Sequence, residues 1–233
     1  MLHHAMNWTF GIVTSGADRQ NLLMQIESIR RLNLSDYQIL IVGGSKLSGT
    51  DIKHLEFDES SVSGWITKKK NLIAQNADFE NLVVSHDYIG FHQDWAAGFE
   101  IFGADWDVCM TRVEDIAGRR FYDWVYWDCP DKPRYSAVPY DQPAHTNMQF
   151  IPGGYFVTKT SFLSAHPLDE TLSWGESEDV EWSLRVRSAN LRLNPFSRVR
   201  HLKRHRGYRM STSIYRDRVE LSPRPDSEHW MGL

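Results

Sequence analysis

The chain has 233 residues, 41% hydrophobic and 24% charged, with a formal net charge of -4. That is enough apolar material for one sizeable core, and too acidic a balance for the electrostatic footprint of a duplex DNA or RNA binder. The arginines and histidines clustered between positions 198 and 209 suit a few phosphates better than a nucleic-acid polymer.

The first half alternates apolar runs with amphipathic segments, the pattern of an α/β sheet built from crossover units. A first strand is expected over 10–14, ending in Ser15-Gly16, and a helix through Leu22, Leu23, Ile26, Ile29 and Leu32. A second strand over 38–42 closes on Gly43-Gly44; a short third strand over 54–57, a helix over 65–77, a fourth strand over 82–85, a helix over 94–102 and a fifth strand over 107–111 follow. Between 118 and 152 the pattern breaks into a stretch rich in Trp, Tyr, Pro and Asp, the composition of a binding loop. After Gly153-Gly154 come a strand over 155–158, an acidic helix start near Glu178 and a last strand over 198–202. The Arg-rich tail after Tyr208 is weakly periodic, which suggests a segment ordered by a ligand.

No apolar run approaches the roughly 18–20 residues that cross a bilayer, so any membrane association is expected to be peripheral. Nothing at the N-terminus resembles a signal segment, and the two cysteines, Cys109 and Cys129, lack metal or redox spacing. A cytoplasmic location is the resulting expectation.

Two acidic signatures carry the chemistry. In Val83-Val84-Ser85-His86-Asp87 a carboxylate follows a buried strand, at the carboxyl edge where open α/β sheets bind ligands. There it can hold a divalent metal, although a lone Asp after a strand also serves as a turn or capping residue. In Trp174-Gly175-Glu176-Ser177-Glu178-Asp179-Val180-Glu181-Trp182 an acid pair opens a helix. It can accept a proton from an acceptor hydroxyl, or simply favour the helix macrodipole. The segment Gly43-Gly44-Ser45-Lys46-Leu47-Ser48-Gly49 lacks the Gly-Lys-Ser/Thr ending of a phosphate loop.

Together these motifs resemble the GT-A glycosyltransferases, particularly the family 2-like enzymes, in feature order along residues 8–202. The resemblance implies an α/β chain with the GT-A (nucleotide-diphospho-sugar transferase) fold, a mostly parallel central sheet flanked by helices. It implies a single GT-A-like catalytic domain over 1–233, with 204–233 a mobile tail or lid. Where the family has Asp-x-Asp this chain has Ser85-His86-Asp87, keeping only the final acid. The resemblance makes Asp87 a metal ligand, joined by His201 on the last strand and more weakly by His205, with Mn2+ or Mg2+ as the ion. Asp179 becomes the base and Glu178 its buttress or an acceptor contact. Thr14, Ser15, Gly16 and Asp58 become candidates for the nucleotide base. Lys68 and Asn71 become donor contacts on a helix where the other two lysines form a solvated face. His86, Gly153 and Gly154 become further donor or sugar contacts.

The implied partners are a nucleotide-diphosphate sugar donor and a hydroxyl acceptor, which is a glycan, a lipid-linked sugar or a small molecule, in work such as polysaccharide biosynthesis. An inverting outcome is expected, because a dedicated carboxylate base suits direct displacement. Trp124, Tyr126 and Trp127 either stack on sugar faces or fill the core. Two rivals stay open: a non-catalytic carbohydrate- or nucleotide-binding module, and a sugar-phosphate nucleotidyltransferase, whose Arg-containing Gly-rich loop Thr14-Ser15-Gly16-Ala17-Asp18-Arg19 matches poorly. Sugar, base, acceptor and oligomeric state depend on loop shape rather than on spacing.

Overall fold

A computed structural model describes residues 6–121, 123–127, 135–141 and 149–203. The elements in chain order are β1 (Trp8–Val13), α1 (Arg19–Arg30), β2 (Tyr37–Val42), β3 (Ile52–Leu55), α2 (Ile66–Asn76), β4 (Asn81–His86), β5 (Ile89–Phe91), α3 (Trp95–Phe102) and β6 (Val108–Glu114). They continue with β7 (Val125–Trp127), β8 (Tyr135–Ala137), β9 (Tyr155–Lys159), α4 (Thr160–Ala165), α5 (Glu178–Arg185) and β10 (Leu191–His201). Eight strands form one sheet in the order β3-β2-β1-β4-β9-β6-β10-β5, while β7 and β8 pair separately.

The sheet is mixed rather than uniformly parallel. Strands β3, β2, β1 and β4 run parallel, as do β6 and β10, but β9 lies antiparallel between β4 and β6, and β5 is antiparallel to β10. The reason is the route of the chain. β6 ends and β9 begins at the same edge of the sheet, so β9 must run the opposite way.

Alternation along the strands sorts the core into two layers. Val83, Tyr155 and Val157 face one side with Trp8, Phe10 and Ile12, covered by Leu22, Ile26 and Ile29 of α1 and Trp95 and Phe99 of α3. Leu82, Val84 and Phe156 face the other, covered by Ile66, Ile73 and Ala74 of α2, Leu163 of α4 and Trp182 of α5. Much of the aromatic content is spent here. The Trp8 ring centroid is 4.7 Å from that of Trp95 and 4.8 Å from that of Phe99, both edge-on, pairs worth about 0.5–1.5 kcal/mol each beyond area burial. Within α1 the helical pattern holds at Leu22, Ile26 and Ile29, whereas Leu23 is 47% exposed and Leu32 lies just past the helix.

Several expected elements are longer or differently placed. β3 begins two residues earlier than expected, and the last strand starts at Leu191, because a register break between Asn194 and Arg198 absorbs Pro195. Asn194 Oδ1 accepts from the amides of Phe196 and Ser197 there. Much of the described part of the 118–152 stretch is buried, with Gly118, Arg119 and Asp141 exposed. Trp124 is fully buried and its indole donates to the Met110 carbonyl at 3.1 Å, which removes it as a sugar platform. Asp123 accepts from the Val113 amide at 2.8 Å, from Arg120 Nε at 2.5 Å and from the Tyr140 hydroxyl. The side chain of Trp127, together with Cys129, His205 and the 204–233 tail, lies outside the described residues. No helix among the described residues is long and apolar enough to cross a membrane.

β10 carries His201 toward the site, and α3 crosses it at closest approach over Gly98. A Cβ added at Gly98 would stand 2.6 Å from the backbone carbonyl of Phe196, a clash that no side-chain rotation relieves. Gly98→Ala is therefore expected to cost roughly 1–3 kcal/mol and to lower Tm by several degrees in thermal unfolding. An unchanged Tm would show that α3 and β10 are not held at this spacing.

Candidate active site

The carboxyl ends of β1 and β4 meet through a short hydrogen bond. Thr14, the residue after β1, donates its hydroxyl to Asp87 Oδ2 at 2.6 Å and accepts from the Gly16 amide at 2.8 Å. Gly16 has φ +81°, and a Cβ there would stand 3.0 Å from Gly44 Cα, so the loops after β1 and β2 touch backbone to backbone. Ser15 is exposed on the rim of this loop. Burial pushes the Asp87 carboxyl above its ordinary range, and the Thr14 hydroxyl pulls it partly back.

Strand alternation divides the Ser85-His86-Asp87 triplet between two environments. Ser85, where the family has its first Asp, is buried: its hydroxyl donates to the Gly11 carbonyl and accepts from Gln25 Nε2 at 2.8 Å. Asp87 turns to Thr14. His86 and Tyr88 instead line a cavity of about 560 Å³ whose other walls include Gly153, Gly154, Glu178, Asp179, His201 and Lys203. The His86 imidazole is half-buried, its Nε2 has no hydrogen-bond partner among the described residues, and burial together with the nearby lysines pushes the imidazole well below its ordinary range. His201 packs against Phe121 at 4.6 Å and Tyr88 at 5.3 Å between ring centroids, and Lys203 Nζ sits 3.9 Å over the Tyr88 ring.

The acid pair stands on the far wall. Ser177 adopts a left-handed conformation, φ 63°, and turns the chain into α5, which Glu178 and Asp179 open. Asp179 Oδ2 accepts the Gly153 amide at 3.1 Å. The helix is anchored behind them, where Ser183 donates to the Asp179 carbonyl at 2.6 Å and accepts the Ile151 amide at 2.9 Å. Glu178 Oε1 lies 3.5 Å from Lys70 Nζ. Burial raises the Glu178 carboxyl and Lys70 lowers it again, while burial lowers the Lys70 ammonium. Gly154 sits beside Tyr88, and its carbonyl accepts the His86 amide at 3.0 Å.

The structure thus brings Gly153, Gly154, Glu178, Asp179, His86 and His201 to one cavity and puts Thr14, Gly16 and Asp87 together at the β1 edge. Three expected donor contacts are placed otherwise. Asp58 is exposed, its oxygens taken by the amide and hydroxyl of Ser60 in a turn. Asn71 is buried and spent at both ends, accepting the Leu168 amide at 2.9 Å and donating to the Leu168 carbonyl and Glu170. Lys68 lays its ammonium over the Trp65 ring at 4.0 Å. The lysines assigned to a solvated face are the buried ones. Lys69 donates to the Thr14 carbonyl at 2.8 Å and pairs with Glu59 at 2.7 Å, and Lys70 meets Glu178. The face of α2 that buries Ile66, Ile73 and Ala74 also buries positions 69 and 70, a phase readable at the 3.6 period had the lysines been weighed as amphipathic stems.

Structure comparison reaches the same conclusion about the fold. The chain superposes on GalNAc-T7 in complex with UDP, GalNAc and Mn2+ with a TM-score of 0.66 at 15% identity, covering 88% of this chain and 45% of that one. It superposes on Staphylococcus aureus TarS 1–349 with a TM-score of 0.59 at 13% identity, covering 83% of this chain and 60% of that one. For TarS 1–349 with UDP-GlcNAc the TM-score is 0.55 at 14% identity, covering 91% and 64%. The chain therefore spans from just under half to nearly two thirds of these structures. No protein-family model and no curated protein matches the sequence. The chain has the GT-A glycosyltransferase fold.

Because the folded state raises the Asp87 carboxyl, the native chain holds that proton more tightly than the unfolded one. Stability from this group is complete below the ordinary carboxyl range near pH 4 and is lost as pH rises through the raised value. Asp87→Asn, which does not ionise, is expected to melt about 2–4 °C above wild type at pH 7 and level with it near pH 3.5. Equal melting at both pH values would show that the carboxylate is not held at a cost.

Proposed function

We propose that this chain is a glycosyltransferase that moves a sugar from a nucleotide-diphosphate donor to a hydroxyl acceptor. The observation that carries the reading is the acid pair at the first turn of α5, facing a cavity on a GT-A fold, with Asp179 oriented by the Gly153 amide. In an inverting displacement the acceptor oxygen bonds to the anomeric carbon as the bond from that carbon to the donor phosphate oxygen breaks. The acceptor proton passes to Asp179, and the electron pair leaves with the diphosphate. Asp179 is the base; Glu178, buried beside it, fixes the turn.

Thr14 and Gly16 at the β1 edge are the part of the site proposed to receive the nucleotide. Lys203, on the cavity wall just past the last strand, is the basic residue proposed to face diphosphate charge. Arg198 is already paired with Asp94 at 3.1 Å and lies 3.6 Å from Glu114. The described residues gather no three carboxylate, imidazole or thiol groups into a metal cluster. A divalent ion bound through substrate phosphates and water needs only one or two protein groups. Asp87, at the β1 edge, and His201, on the cavity wall, are the proposed groups, and a common ion would have to reach both across the diphosphate. When bound, Mn2+ or Mg2+ offsets charge on the leaving diphosphate.

A binding module is the second reading, favoured by one observation: the position of the first family Asp is a buried structural Ser85. The two readings part on turnover. Calorimetry with nucleoside diphosphates and their sugars, with and without Mn2+, is expected to show binding of one nucleotide that Asp87→Ala weakens. Asp179→Asn is expected to cut turnover by about 10²–10⁴ while leaving donor affinity within about threefold. Binding without turnover in the intact chain would favour a nucleotide-binding module, and no binding of any donor would overturn the transferase reading in favour of a carbohydrate-binding module.

A further inference from the structure

Among the buried cations outside the proposed chemistry, Lys70 stands nearest the acid pair. Lys70 is 0% exposed, its Nζ makes no well-formed hydrogen bond among the described residues, and its one ion-pair contact among them is Glu178 Oε1 at a long 3.5 Å. An ammonium buried without hydrogen bonds costs several kcal/mol, so its retention calls for a reason. Lys70 does not line the cavity, whereas Gly153, Glu178 and Asp179 do, which places it behind the wall.

Four groups converge on this point. A Cβ added at Gly153 would stand 2.9 Å from Glu178 Oε1, 3.0 Å from Lys70 Nζ and 3.2 Å from Asp179 Cβ. The same glycine donates its amide to Asp179 Oδ2 at 3.1 Å. Only a residue without a side chain lets the lysine, the acid pair and the 152–154 backbone share so small a space. Lys69, the next cation on α2, is turned away to Thr14 and Glu59.

We propose that Lys70 is a positioning residue for the acid pair. Its ammonium pins Glu178 at the first turn of α5 and so holds Gly153 and Asp179 in the register that aims Asp179 into the cavity. The inference rests on Asp179 being the base, but its geometric half does not. Losing the charge leaves Glu178 buried without a counter-ion, free to rotate away and to loosen the Gly153 amide from Asp179.

The test pairs an amide readout with kinetics on the intact chain, using wild type, Lys70→Met, Glu178→Gln and the double variant. Lys70→Met is expected to speed hydrogen exchange of the Gly153 amide by about tenfold or more, with the β4 and β9 core amides of Val83 and Val157 unchanged. With the donor sugar turned over by wild type, it is expected to lower kcat by about tenfold or more while shifting donor KM by less than about threefold. The double variant leaves neither charge buried and is expected to be no worse than Glu178→Gln alone, since the two residues act as a unit. Should Lys70→Met fail to fold, the double variant carries both readouts. An unchanged Gly153 amide, or a loss confined to KM, would overturn the proposal. Absent turnover in wild type would sink the proposed function while the amide measurement still decides the role of Lys70.

Discussion

The antiparallel pairing of β9 with β4 is the constraint on which the rest of the site depends. It sets Gly154 opposite the end of β4, where its carbonyl takes the His86 amide, and so holds the 152–154 turn against the carboxyl edge of the sheet. That turn presents the Gly153 amide to Asp179, and the following helices are drawn onto the same face of the sheet by Phe156 against Trp182. Slipping β9 by one residue would exchange Tyr155 and Val157 with Phe156 between the two cores, which close packing resists. The acids of a helix about twenty residues later are thereby placed by a strand pairing rather than by any property of the helix itself.

Around this frame the chain buries an unusual amount of charge. Lys69, Lys70, Asp87 and Glu178 are all less than a tenth exposed. Such groups lower stability in exchange for fixed orientation, because charges packed against backbone and one another have few rotamers to sample. Their arrangement is not random. Lys69 braces the end of β1 through the Thr14 carbonyl, Thr14 fixes Asp87, and Lys70 faces the acid pair from behind. α2 therefore connects the proposed nucleotide edge to the proposed base.

Much of the fold was legible because local pattern and tertiary demand agree. The continuous apolar runs of β1 and β2, the presence of helices at α1 and α2, and the acid-rich start of α5 were all legible. What the sequence left obscure was facing. In Ser85-His86-Asp87 the letters make Asp87 a metal ligand and His86 a donor contact without saying which way either faces; alternation sends His86 to the cavity and Asp87 to Thr14, and the partner strands reveal which side is which. The three consecutive lysines of α2 are equivalent as letters, yet helix phase buries two and leaves Lys68 on an indole ring. Trp124 read equally as binding or core until its indole was seen donating to the Met110 carbonyl. The direction of β9 was hidden for a different reason. It follows from β9 beginning at the edge where β6 ends, and no residue in the strand records that.

The central claim is that the β1 and β4 edges and the 152–154 turn form one nucleotide-sugar site. It is tested most directly by titrating the isotopically labelled chain with UDP and mapping the amide shifts. The account predicts the largest, saturable changes at Gly16, Gly44, Asp87, Gly153 and Gly154, with little at the opposite sheet edge around Asn7 and Asn81. Saturable shifts clustered away from those five residues, or none up to millimolar UDP and other nucleoside diphosphates, would contradict it.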